Sequence, residues 1–258
     1  MCYYNGMRVT RKDYLRLMAL EKEVKKLRLF RPAQSGFDYR DWPIIKPIAQ
    51  NDYEIKEVHW EYVPDFVYDE FQLREEFRKM QTTLNAKSEN LFVNERGRLS
   101  MWKEGALNGR CLVLSSGFYE WRHIPKIGKK GQPLTTTEAI PYHITLKEKP
   151  DEVFYMAGIS HVWTNKRRNI SADTFAIVTT EANELMSVIH NKKKRMPTIL
   201  TEELAKEWIY GKLSEADISE IASYQYDSNK MMAWTVAKDF IAKENPEEQV
   251  EYENLPPF

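Results

Sequence analysis

Apolar residues recur at three- and four-residue spacing over 10–28, where Tyr14, Leu17, Met18, Val24 and Leu27 would line one face of an amphipathic helix. Arg, Lys and Glu fill its other face, and Thr10 with Asp13 three residues on supplies a cap. Residues 30–47 carry Pro32, Gly36, Pro43 and Pro47, which predicts an irregular surface wrap that buries Phe37, Trp42 and Ile44. Alternation over 54–63 predicts a strand stopped by Pro64. A short helix is expected over 69–80, a turn around Asn85, and a helix over 91–106 interrupted by Gly97.

The apolar run from Arg110 to Ser116 reads as a short buried strand leading into Gly117-Phe118-Tyr119-Glu120-Trp121. Residues 124–140, rich in Gly, Lys and Thr, form a hairpin tip or an insertion. Strands follow at 141–147, 153–163 and 174–180, helices at 181–189, 201–211 and 214–223, and a strand from Met231 to Val236. Strands and helices mix without regular βαβ alternation, so the expectation is one α+β domain over 1–238, followed by a peripheral acidic tail over 239–258.

Composition sharpens this picture in three places. With 42% hydrophobic and 29% charged residues the chain is globular. It lacks an apolar run long enough to span a bilayer and a signal-peptide pattern, and the two cysteines, Cys2 and Cys111, make neither a disulfide framework nor a zinc spacing, so a cytoplasmic setting is expected. Formal net charge is zero, yet residues 239–258 hold six acids against Lys243. Removing them from the totals of 38 bases and 38 acids leaves 37 and 32, a net of +5, with clusters at Arg122 to Lys130, Lys166 to Arg168 and Lys192 to Arg195 that could meet phosphates.

Candidate chemistry starts at the second residue. Once Met1 is removed, Cys2 carries a thiol and an α-amine on adjacent carbons. Both titrate at roughly 8 to 8.5, and together they capture an aldehyde better than an internal cysteine does, as a Schiff base closed by sulfur to a thiazolidine. The competing reading is an unstructured start. Glu120, if it faces inward, would be desolvated and suited to moving a proton; strand alternation alone favours an exposed side chain. Asn85 could position a substrate or the Cys2 backbone, or simply cap a turn. His190 is a candidate acid, base or charge stabiliser, or a structural helix-terminal histidine. His59, His123, His143 and His161 make no metal constellation, and Cys111 reads as core. There is no Gly-rich phosphate loop, Gly-x-Ser-x-Gly elbow or Cys-x-x-Cys, so a nucleotide-dependent enzyme or a serine hydrolase gets no support.

These residues occur in a recognisable order: Met-Cys at the start; Trp60-Glu61-Tyr62-Val63-Pro64; Asn85-Ala86-Lys87-Ser88-Glu89; the segment from Arg110 to Trp121; and His190 with Arg195-Met196-Pro197. In this order, over about residues 1–235, the chain resembles the SRAP family, the SOS-response-associated peptidase-like proteins that shield abasic sites in single-stranded DNA. The resemblance implies a bifurcated, partly barrel-like mixed sheet surrounded by helices. It also implies a monomer that binds abasic single-stranded DNA and uses no metal or organic cofactor. At matching positions, Cys2 would link to the abasic sugar aldehyde, Asn85 would orient Cys2 and the sugar, and Glu120 would shuttle protons for ring opening and for release of Met1. His190 would stabilise the reacting sugar and assist reversal or strand scission. Trp60 and Pro64 would form an apolar wedge, and Lys87 and Arg195 would hold phosphates.

The chain departs from that pattern in three ways. Tyr3-Tyr4 stands where family members commonly have Gly-Arg, Lys87 stands for an arginine, and Lys192-Lys193-Lys194 separates His190 from Arg195. That insert either displaces the histidine or bulges toward DNA as new basic surface. Two rival functions follow from the same residues: an N-terminal-nucleophile peptidase or amidase acting on another substrate, and a plain DNA- or protein-binding module with an inert Cys2.

Overall fold

Two β-systems share the segment from Arg110 to Ile127, which changes sheets at Ser115-Ser116-Gly117. The computed structural model describes residues 2–9, 14–17, 20–24, 27–148, 152–253 and 255–256. Before the crossing, Arg110–Ser115 lies between Asp41–Ala49 and Phe154–Asn165. Asp41–Ala49 pairs with Asp52–Trp60, which runs parallel to Ile170–Glu181, and Ile170–Glu181 pairs back onto Phe154–Asn165. The ring closes with no free edge, a five-stranded mixed barrel in which Ile44, Val113, Met156 and Ile177 share one face and are fully buried. The short strands Asn85–Lys87, Arg195–Pro197 and Ile199–Leu200 extend it.

After the crossing, Gly117–Ile127 joins a five-stranded antiparallel sheet in the order Met231–Thr235, Pro133–Leu146, Gly117–Ile127, Tyr4–Arg8 and Phe30–Ser35. Helices Lys103–Asn108, Glu184–Ile189, Glu202–Tyr210 and Glu215–Ala222 pack around both systems. The fold is a single α+β domain with a bifurcated, barrel-like mixed sheet, as the sequence implies.

Tyr4–Arg8 is held on both sides over Tyr4–Gly6 and on one side as far as Arg8. It pairs with Gly117–Ile127 on one side and Phe30–Ser35 on the other. Gly6 allows this, because a Cβ there would stand 2.7 Å from the Pro32 carbonyl oxygen. The buried Asn5 amide reaches the Leu114 carbonyl (3.4 Å) and accepts from Ser115 Oγ (2.7 Å) and the Gly6 amide (3.0 Å).

Several local expectations are corrected. Within 10–28, Tyr14–Leu17 and Leu20–Glu23 form an antiparallel hairpin instead of a helix; Thr10, Asp13 and Met18 lie outside the described residues. The periodic signal there is ambiguous, since Leu15 and Leu17 also alternate, and helix propensity is a weak prior against pairing. Residues 30–47 are largely strand, with Trp42 and Ile44 buried as expected but Phe37 45% exposed. Asn85 lies in a strand and not a turn. Over 91–106 only the last residues are helical, in Lys103–Asn108. Before it, Gly97 at φ +70° and the Asn94 side chain, accepting from the Arg96 and Arg98 amides, build a turn closed by the Val93–Leu99 bridge.

The acidic tail is also integral. Phe240 is buried and stacks on Tyr119 at 4.3 Å, the Val250 amide bonds the Thr235 carbonyl, and Arg122 donates to the Pro256 carbonyl at 2.6 Å.

Candidate active site

The antiparallel register sets Tyr4 opposite Tyr119, so Glu120 lies one residue further toward the Cys2 end of the first strand. Strand alternation sends Tyr119 and Trp121 to the face covered by Phe240, and Phe118 and Glu120 to the other. Glu120 is therefore 4% exposed, facing inward. Burial pushes its carboxyl up to about 7. Cys2 is fully buried at the same end, and its thiol lies 3.8 Å from the Tyr4 carbonyl. Burial, then the charge of Glu120, pushes that thiol well above its ordinary range, so sulfur is held as the neutral thiol.

His190 follows Glu184–Ile189 at its C-terminal cap and is buried. Its Nδ1 donates to the Arg195 carbonyl at 2.8 Å, which leaves the Nε2 lone pair facing Glu120 Oε2 at 3.7 Å. Burial, aided by the neighbouring positive charges, lowers the imidazole to about 4, so it is neutral at physiological pH. A carboxyl that titrates near neutrality therefore faces a neutral imidazole acceptor.

Asn85 pairs with Ile177 on the parallel strand and is 6% exposed. Neither atom of its amide has a hydrogen-bond partner among the described residues. A buried primary amide left this way costs about 1–3 kcal/mol, which a bound polar group would recover. Its neighbour Leu84 packs at Gly36, whose amide holds the Tyr3 carbonyl at 2.8 Å, so Asn85 belongs to the same end of the molecule as Cys2.

The four residues expected to contact DNA are differently placed. Trp60 is fully buried and donates to the Leu84 carbonyl at 3.0 Å, and Pro64 is buried beside it in sequence. Lys87 pairs with Glu95 at 2.6 Å. Arg195 is buried, makes a two-pronged contact with Glu89 at 2.7 and 2.9 Å, and donates to the Thr179 carbonyl at 2.6 Å. That contact joins two distant segments of the chain: the pair braces Arg195, whose carbonyl orients His190.

Sequence reasoning missed Asn5 and Ser115, which hold the first strand, and Asn191, which clasps the His123 backbone at 3.0 and 2.8 Å. A polar residue immediately after Cys2-Tyr3-Tyr4 was the available signal for Asn5. The aromatic pair Tyr3–Phe37, with ring centroids 4.8 Å apart, also borders the site. Burial, then the charge of Glu120, pushes the Tyr3 hydroxyl up to about 12. Among the described residues no group of three His, Cys, Asp or Glu converges as a metal site requires, and no helix is long and apolar enough to cross a membrane.

Comparison with known proteins agrees with this arrangement. Over 229 residues the chain is 27% identical to the abasic site processing protein YedK of Escherichia coli, covering 86% of each chain. Over 180 residues it is 29% identical to the abasic site processing protein YoqW of Bacillus subtilis, covering 70% of this chain and 68% of that one. A crystal structure of a protein from Bacteroides thetaiotaomicron matches with a TM-score of 0.75 at 27% identity, over 97% of this chain and 100% of that one. Residues 1–242 match the profile of the SOS response associated peptidases. An N-terminal strand built into the sheet, and a match over nearly the whole chain, lead to one conclusion: the chain belongs to the SOS response associated peptidase (SRAP) family.

Proposed function

We propose that this chain processes abasic sites in single-stranded DNA by capturing their aldehyde on Cys2 after Met1 is removed. The α-amine of Cys2 attacks C1′ of the open sugar, and loss of water gives a Schiff base. The Cys2 sulfur then adds to the same carbon while its proton passes to nitrogen, closing a thiazolidine. Glu120 in its protonated form donates for ring opening and for the departing water, and in its ionised form takes the amine proton. His190, neutral and aimed at Glu120, relays that proton and stabilises the reacting sugar. The unsatisfied Asn85 amide holds a sugar hydroxyl. Release of Met1 by the same groups is part of the proposal.

The observation that carries this reading is the burial of Cys2 beside a carboxyl raised to about 7 that itself stands 3.7 Å from a neutral imidazole. The relatives' name, abasic site processing protein, supports the substrate class. Intact mass spectrometry of the purified protein, alone and mixed with an abasic oligonucleotide, tests it. The expected result is loss of Met1 and a denaturation-resistant adduct equal to protein plus oligonucleotide minus one water. Retained Met1 with no adduct would sink the proposal. Hydrolysis of supplied peptides without any DNA adduct would favour the peptidase reading.

A further inference from the structure

The two cations that the family pattern marks for phosphate are already engaged within this chain, Lys87 by Glu95 and Arg195 by Glu89. The three lysines inserted between His190 and Arg195 are not. The insert closes on itself: the Lys194 amide bonds the His190 carbonyl at 2.8 Å, and the Ala182 amide bonds the Lys194 carbonyl at 3.0 Å. Lys194 adopts φ +48°, the left-handed geometry that reverses the chain and brings the Arg195 carbonyl back within 2.8 Å of His190 Nδ1. Asn191 ties the turn to the strand carrying Glu120 through both backbone groups of His123.

Lys192, Lys193 and Lys194 are exposed, and among the described residues none has a carboxylate partner. The charge of Lys193 lowers the titration of both Glu120 and His190, and that of Lys192 lowers His123, so these two ammonium groups lie within electrostatic reach of the site. Three such ammonium groups on a rigid turn beside a reaction centre suit a polyanionic backbone, whose condensed counterions they would release.

We propose that the 191–194 turn is the phosphate-binding loop of this chain, with Lys192 and Lys193 gripping phosphodiesters beside the captured sugar in place of Lys87 and Arg195. The inference rests on the DNA reading given above. It assigns to an exposed turn the contacts that the family pattern places on residues here locked in ion pairs, and it predicts binding indifferent to base sequence.

The test is a fluorescence-anisotropy titration of an undamaged single-stranded oligonucleotide over a range of salt concentrations. Wild type is compared with Lys192→Gln/Lys193→Gln, with Lys192→Arg/Lys193→Arg and with Lys87→Gln; Lys194 is retained because of its left-handed backbone. Removing one lysine–phosphate pairing on a single strand flattens the log K against log salt plot by about 0.7, so the double glutamine variant should flatten it by about 1.4. The arginine variant should keep the wild-type slope, and Lys87→Gln should change it less than the double glutamine variant does. A wild-type slope in the double glutamine variant, or an equal or larger change from Lys87→Gln, overturns the inference. The same preparations are mixed with an abasic oligonucleotide. Wild-type adduct with an unchanged slope in the double variant refutes the loop alone, whereas no adduct from wild type refutes the DNA reading beneath it.

Discussion

Glu120 Oε2 and His190 Nε2 face each other across 3.7 Å, one from the middle of a strand and the other from the cap of a helix. The separation is longer than a direct hydrogen bond, so a proton passed between them requires a closer approach in the reacting complex. Because His190 Nδ1 is committed to the Arg195 carbonyl, Nε2 is the nitrogen left to act.

Glu120 should make the stability of the fold depend on pH. Its carboxyl is raised from the ordinary range to about 7 by burial, so the folded state binds an extra proton between those values and its stability falls as pH rises through them. Above pH 7 the cost is fully present and is on the order of 3 kcal/mol. Glu120→Gln should therefore stabilise the protein at pH 8 and change little at pH 4, while strongly slowing adduct formation. Urea melts at the two pH values measure the first effect, and an equal change at both would refute it.

Adduct formation by the wild type should vary with pH around the same value. Rates measured from pH 5 to 9 should inflect near 7, and that inflection should vanish in Glu120→Gln even if a slow residual reaction persists. An inflection that survived the substitution would assign it to another group.

Arg195 and Glu89 offer a separate test of positioning. Glu89 is held below its ordinary value: burial opposes this, but the hydrogen bonds from Arg195 outweigh it. Glu89→Ala leaves the buried guanidinium bonded to Thr179 without a countercharge from Glu89, and should cost about 1–2 kcal/mol given that Glu89 is half exposed. The informative readout is the His190 imidazole: its hydrogen bond to the Arg195 carbonyl favours the charged ring, so its titration by NMR should move further below the ordinary value as that carbonyl loosens. A loss of stability with an unchanged His190 titration would make the pair merely structural.

His143 carries a liability of opposite sign. It is buried, both ring nitrogens lack hydrogen-bond partners among the described residues, and it sits between Tyr119 and Trp234 at 5.0 and 4.7 Å. Burial, then the charge of Arg8, pushes the ring down to about 3. The unfolded chain binds that proton near 6.5, so stability is lost as pH falls below this value. By pH 5 the loss is about 2 kcal/mol. His143→Leu should remove that acid sensitivity, seen as a smaller drop in urea midpoint between pH 7 and pH 5.

The tail should prove structural. Phe240→Ala deletes a fully packed ring from the face shared by Tyr4, Tyr119 and Trp121 and should cost about 3–5 kcal/mol in denaturant melts. A cost under about 1 kcal/mol would return the tail to the surface role its composition suggests.

Much of the fold was legible in the sequence. The strand from Arg110, the helices beyond 181 and the α+β class follow from period and turn chemistry, and the order of motifs points to the family. Other features were not legible, for physical reasons. The hairpin within 10–28 depends on pairing, which a one-dimensional periodicity does not distinguish from a helix face. The inward turn of Glu120 depends on which sheet claims Gly117–Ile127, a choice made by Asn5 and Ser115, which lie far apart in the chain. The bracing of Arg195 by Glu89 joins residues that no local pattern connects, so an arginine expected to hold phosphate is engaged by a carboxylate within the chain.

Tyr4–Arg8 is five residues long, paired along one edge with Phe30–Ser35 and over Tyr4–Gly6 along the other, and entered two residues after the sulfur it delivers. Such a strand has no slack. A slip of one residue in its pairing would turn Cys2 to the opposite face of the sheet, away from Glu120.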